Sequence, residues 1–164
     1  MNETAEFELA VRLRGEGAPL GEVFAFISGL YFRGKMAYAN AFGTPLVITA
    51  GRGLLPPDTL ITLSDLREIA AVPIDLAHPL YRQPLERDAL QLHKTLTPGR
   101  EVVLLGSIAT LKYLEPLRDI LGFRLVFPSE FVGLGDMSRG GLMLRCAREG
   151  SELNYISALP GSKR

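Results

Sequence analysis

The chain has 164 residues, 47% of them apolar, and its 18 basic and 18 acidic side chains give a formal net charge of zero. That much apolar material excludes intrinsic disorder, and the missing basic excess argues against a protein that grips bare nucleic acid. One cysteine, Cys146, excludes an internal disulfide; the N-terminus lacks a signal-peptide pattern and no apolar run is long enough to span a bilayer, so a cytoplasmic protein is expected.

In chain order, residues 7–13, FELAVRL, alternate apolar and polar side chains and predict a strand. After RGEGAP, residues 19–28 carry Leu20, Val23, Phe24 and Ile27 at helical spacing, with Pro19 suited to a first turn. Residues 30–42 predict a second helix, whose Gly34, Ala37 and Ala41 leave room for a close neighbour and whose Gly43 ends it. Its stripe of Tyr31, Lys35, Tyr38 and Phe42 reads as packing. A base-stacking surface is the other reading, but no basic surround supports it.

Residues 45–50, PLVITA, predict a strand of the parallel, doubly buried type. A short strand and helix are expected over 59–70, and an amphipathic helix over 84–96 begins at Pro84. Residues 101–106 and 123–127 predict further strands flanking a helix that Pro116 kinks or divides. Residues 128–141 read as a long glycine-rich loop, and 141–157 as a hairpin turning at REGS. Strand–helix alternation with antiparallel ends predicts one α/β domain over residues 1–164: a three-layer, Rossmann-like mixed sheet with a parallel centre and helices on both faces.

Ligands of open α/β sheets bind outside the carboxyl ends of the strands. Three loops are expected there. In AGRGLLPPD, Arg52 suits an anion, Gly53 a close backbone approach and Asp58 a catalytic carboxylate, although turn chemistry alone also explains the segment. In GSIAT, Gly106 and Ser107 offer free N–H groups at a helix start, where ordinary capping is the alternative. In the 128–141 loop, the N–H groups around Gly133, Gly135, Gly140 and Gly141 suit an anion nest, Arg139 supplies charge and Ser138 a hydroxyl, and Glu130 or Asp136 stands as general base. An internal Asp–Arg pair in a long connection is the alternative there. His78 and His93 have no partner at metal-ligand spacing, so no metal and no cofactor are expected. Cys146 reads as core. The GSKR tail is a small basic patch.

The segment LYFRGKMAYANAFGTPLVITAGRGLLPPD resembles a group of small α/β domains. In these a helix with Tyr and Ala-x-x-Tyr-Ala precedes a strand ending Ser/Thr-Ala-x-x-Gly-Leu-x-x-Pro-Asp, and a VVLLGS-like strand follows. The resemblance spans residues 30–106. It implies a layout similar to uracil-DNA-glycosylase-like domains found beside nucleic-acid-modifying enzymes, with Gly53, Leu54, Pro57 and Asp58 at a site. The group's Cys-Gly-x-x-Lys motif is replaced here by RLRGEG.

The function expected is ligand binding in nucleotide or nucleic-acid metabolism, with a small molecule or nucleotide as partner. If the protein is an enzyme, the reaction expected lies at a nucleoside N-glycosidic bond. Contact with nucleic acid itself is left open, and no membrane partner is expected. The alternative is a non-catalytic interaction module that forms a homodimer through Tyr31, Tyr38 and Phe42.

Overall fold

The computed structural model describes residues 3–107 and 111–159. The GSKR tail and the helix start expected at 108–110 lie outside the described residues.

The first element is a helix, α1 (Glu3–Arg14), where alternation predicts a strand. Seven residues of alternation compete with a run of Glu, Ala, Leu and Arg, all strong helix formers. Leu9 and Leu13, four apart, share the inward face, while Phe7 and Val11 stand exposed. Arg12 and Arg14 in the last turn complement the negative end of the helix dipole. Arg12 also forms an ion pair with Glu22. Strand β1 (Ala18–Pro19) then pairs antiparallel with β4 (Leu60–Ile61). The two helices expected next are present as α2 (Leu20–Ser28) and α3 (Leu30–Phe42), with Gly43 capping the second.

Strand β2 (Val47–Thr49) does not sit in a parallel centre. It pairs antiparallel with β3 (Gly53–Leu55), because positive φ at Gly51 (81°) and Gly53 (74°) lets the chain reverse at once. Helix α4 (Leu63–Ala71) opens on a capping box between Thr62 and Asp65. Helix α5 (Pro79–Thr95) starts before Pro84 and carries that proline inside it. Strand β5 (Val102–Val103), helix α6 (Leu111–Leu121) and strand β6 (Leu125–Pro128) form the expected strand–helix–strand unit. The two strands are parallel, with Val102 opposite Leu125.

Helix α6 runs through Pro116 without dividing. Proline cannot donate to the carbonyl four residues back, that of Lys112. The buried Tyr81 hydroxyl donates to this carbonyl instead, at 2.7 Å. Burial, aided by Tyr113, pushes the Tyr81 pKa up to about 12, which keeps the donor proton in place.

The largest departure is at the end. Residues expected as a loop and then a hairpin strand form helix α7 (Asp136–Glu149), followed by β7 (Tyr155–Ser157) antiparallel to β6. Read from Asp136, the inward residues Arg139, Gly140, Met143 and Cys146 recur at helical spacing. The pair Gly140–Gly141 disguises this, because glycine costs a helix interior about 1 kcal/mol relative to alanine. Gly140 is there for close approach: a Cβ on it would lie 3.0 Å from the Leu30 carbonyl, and one on Gly34 would lie 2.6 Å from the Gly140 carbonyl. The neighbour that Gly34 makes room for is therefore α7.

The architecture is mixed α/β. The single expected sheet is divided into three small ones: β1–β4, β2–β3 and β5–β6–β7. One apolar cluster lies between α5, α6 and the third sheet, a second between α1, α2 and β4, and a third between α3 and α7. Phe24 packs against both the first and the second. Among the described residues no helix is long and apolar enough to cross a membrane.

Candidate functional site

At the carboxyl ends of the parallel strands, four segments converge. Tyr31 of α3 donates its hydroxyl to the Leu105 carbonyl at 3.0 Å, just beyond β5. One helical turn on, the Lys35 ammonium lies 3.9 Å from the centroid of the Tyr31 ring, a cation–π contact. From α7, the buried Arg139 donates through Nε (3.3 Å) and Nη2 (3.1 Å) to the Phe131 carbonyl, just beyond β6. Its Nη1 lies 3.7 Å from Asp136 Oδ1, and its guanidinium stands beside the Tyr31 hydroxyl.

The electrostatics are unbalanced. Burial lowers the Lys35 pKa below its ordinary 10.5, opposed by Asp136 and reinforced by Arg139. Burial raises the Tyr31 pKa, with Arg139 opposing. Two withdrawn cations thus face one carboxylate, and that carboxylate, Asp136, is 71% exposed. Gly135, the N-cap of α7, offers no side chain to bond the N–H groups of the first turn. The corner thus holds two cations against one carboxylate, beside first-turn N–H groups of α7 that no side chain caps, an arrangement that suits an anion.

Of the residues singled out by sequence, Asp136 and Arg139 belong to this corner, and Gly106 and Ser107 adjoin it through Leu105. The others stand elsewhere. Glu130 accepts from the Asn154 main-chain N–H (3.1 Å), the Asn154 side chain (2.9 Å) and Ser129 Oγ (3.1 Å). Burial alone would raise its pKa, but these bonds together lower it, so Glu130 stays ionised and clamps the 129–131 turn to the chain before β7. Gly140 is filled by α3 and has no room for a ligand. Ser138 faces away from α3, in a shallow groove of about 420 Å³ on the outer side of α7.

The AGRGLLPPD segment leaves the corner altogether. Arg52 forks to Asp65 (2.8 Å) and Glu68 (2.9 Å) on α4, where its charge is already met. Gly53 carries β3 against α5: a Cβ there would meet the Asp88 carboxylate and lie 2.6 Å from the Pro84 carbonyl. Asp88 in turn accepts from the Leu54 N–H at 2.9 Å. Asp58 is exposed on a turn held to α2, where the Gly21 N–H donates to the Pro57 carbonyl at 2.8 Å.

Lys35 and Tyr31 are the residues that reasoning from position missed. Their signal is a lysine within an aromatic helical stripe. The rest of that stripe packs inward: Tyr38 is buried, lies 4.7 Å from the Phe42 ring and accepts from the Leu153 N–H at 2.9 Å. A homodimer through Tyr38 is therefore excluded, since α7 and the chain before β7 already cover it. Cys146 is core, as expected, and burial raises its thiol pKa.

Comparison with protein-family models, with curated proteins and with solved structures finds no match to this chain.

Proposed function

We propose that this is a binding protein for a small anionic ligand of the nucleotide class, seated at the corner of Tyr31, Lys35, Asp136 and Arg139. The observation that carries the reading is the pairing of two withdrawn cations with a single exposed carboxylate beside an uncapped helix start. A phosphate group supplies the missing negative charge, and Gly106 and Ser107 offer the neighbouring loop to the sugar or base. The nucleotide class follows from the position at parallel strand ends and from the resemblance to uracil-DNA-glycosylase-like domains. On this reading the β5–β6 pair is the reduced centre of a Rossmann-like layer, and the protein works in the cytoplasm. If the site turns over, Asp136 is its carboxylate at a nucleoside N-glycosidic bond, because Asp58 stands on the turn against α2.

A thermal-shift series tests this with nucleoside monophosphates, the parent nucleosides, short oligonucleotides and inorganic phosphate. The monophosphates should raise the melting temperature with concentration, as any ligand of the native state does. The nucleosides should do so less, and Lys35→Met should abolish the gain. No stabilisation by any phosphate-bearing probe sinks the proposal.

A further inference from the structure

Lysine is among the side chains least often withdrawn from water without a carboxylate in contact. Lys35 is half-buried on α3. It follows Gly34, whose backbone packs against that of Gly140, so its stem leaves a fixed point of the helix pair. Among the described residues its nitrogen has no hydrogen-bond acceptor and no ion-pair partner, and what faces it is the Tyr31 ring at 3.9 Å. The Tyr31 hydroxyl is turned to the Leu105 carbonyl. Asp136, the carboxylate that acts on the ammonium, stands 3.7 Å from Arg139 and is 71% exposed. Arg139 is a permanent cation and opposes a second positive charge here. The proton this pair gives up most readily is therefore the one on Lys35.

We propose that Lys35 is a covalent site for a small carbonyl compound that carries an anionic group. The free amine adds to the aldehyde or ketone carbon, and its proton passes to the carbonyl oxygen. The carbinolamine then loses that oxygen as water and leaves an imine. Nothing is oxidised or reduced. A desolvated lysine beside another cation is the kind that does this chemistry at neutral pH. The surroundings suit the product as well as the nucleophile. A protonated imine keeps the charge of the ammonium, so the Tyr31 face still meets a cation and the corner still holds two. The anionic group rests on the reading above: it lies in the same corner and holds the carbonyl against the amine, which makes a bimolecular step a local one. The amine chemistry stands without a nucleotide.

The probe is pyridoxal 5′-phosphate, an aldehyde with a phosphate, applied to the full chain near neutral pH and trapped with cyanoborohydride. The reductant adds hydride to the imine carbon and fixes the label for peptide mapping by mass. Lys94 and Lys112 are exposed and serve as internal controls. Label should form on Lys35 roughly tenfold faster than on either, the gain expected of a desolvated amine with its carbonyl held in place. Pyridoxal, which lacks the phosphate, should show less of this preference, inorganic phosphate should compete, and urea unfolding should erase it. In Lys35→Arg, with circular dichroism reporting the native fold, only the slow label of the other amines should remain. Equal labelling of Lys35 and the two exposed lysines in the folded chain overturns the inference, as does a preference that survives unfolding. Stabilisation by monophosphates without the preference overturns this inference and leaves the nucleotide reading standing. The preference without such stabilisation removes the nucleotide reading and supports the amine site.

Discussion

At the scale of single residues, the hairpin segment 50–58 exchanges a ligand role for a structural one. Gly53 sits at positive φ with Asp88 and the Pro84 carbonyl where a Cβ would go. Gly53→Ala should therefore destabilise the fold by roughly 2–5 kcal/mol in urea unfolding, from left-handed strain plus overpacking. A change under 0.5 kcal/mol would mean that β3 does not press on α5 in this way. Asp65 gives a prediction in pH. Bonds from the Thr62 main chain, Arg52 and the Thr62 hydroxyl, in that order, lower its pKa from 3.8 to about 2. A carboxyl depressed by folding stabilises above its unfolded pKa and loses that contribution as pH falls through the folded one. The stability added by Asp65 should thus be intact above pH 4 and fade between about pH 4 and 2. Asp65→Asn should flatten the acid limb of the stability curve in that window. An unchanged limb would remove Asp65 from the account.

At the scale of elements, the α5–α6 contact shows a proline tolerated because another residue takes over its bond. Tyr81→Phe leaves the Lys112 carbonyl without its donor and should cost about 1–2 kcal/mol. In the Pro116→Ala background, position 116 regains an N–H, so the same change should cost about 1 kcal/mol less. A double-mutant cycle reads this coupling directly, and additive effects would refute it. The helices at 20–28 and 30–42 are legible from apolar spacing and Gly43, and the strand–helix–strand unit from its apolar runs, while Pro19, expected in a first turn, ends β1 and is the N-cap of α2. The strand read at 7–13 failed because a short alternation cannot outweigh the Glu, Ala, Leu and Arg that fill α1. The loop read at 128–141 failed because Gly140 is a packing residue for a partner, Gly34, more than a hundred positions away. That pairing is a tertiary fact, invisible to local pattern.

At the scale of the whole molecule, topology points to the sheet edge where two of the residues singled out by sequence stand. The carboxyl ends of the parallel strands do gather charged groups, and Asp136 and Arg139 are among them. Arg52, Gly53 and Asp58 fell away because the chain reverses at Gly51 instead of crossing over, which carries the first loop to α4, α5 and α2. The residues gained, Tyr31 and Lys35, come from a helix whose stripe otherwise reads as core. On the proposed reading, the withdrawn Lys35 ammonium takes the anion of the ligand. The chain has only three other lysines, Lys94, Lys112 and Lys163, so each can be followed after ¹³C-methylation by NMR. Titrated alone, Lys35 should lose its proton below 10.5, and saturation with a nucleoside monophosphate should move that titration upward, since the phosphate favours the charged form. A Lys35 signal that titrates at its ordinary value, or that the nucleotide leaves unmoved, would contradict the account.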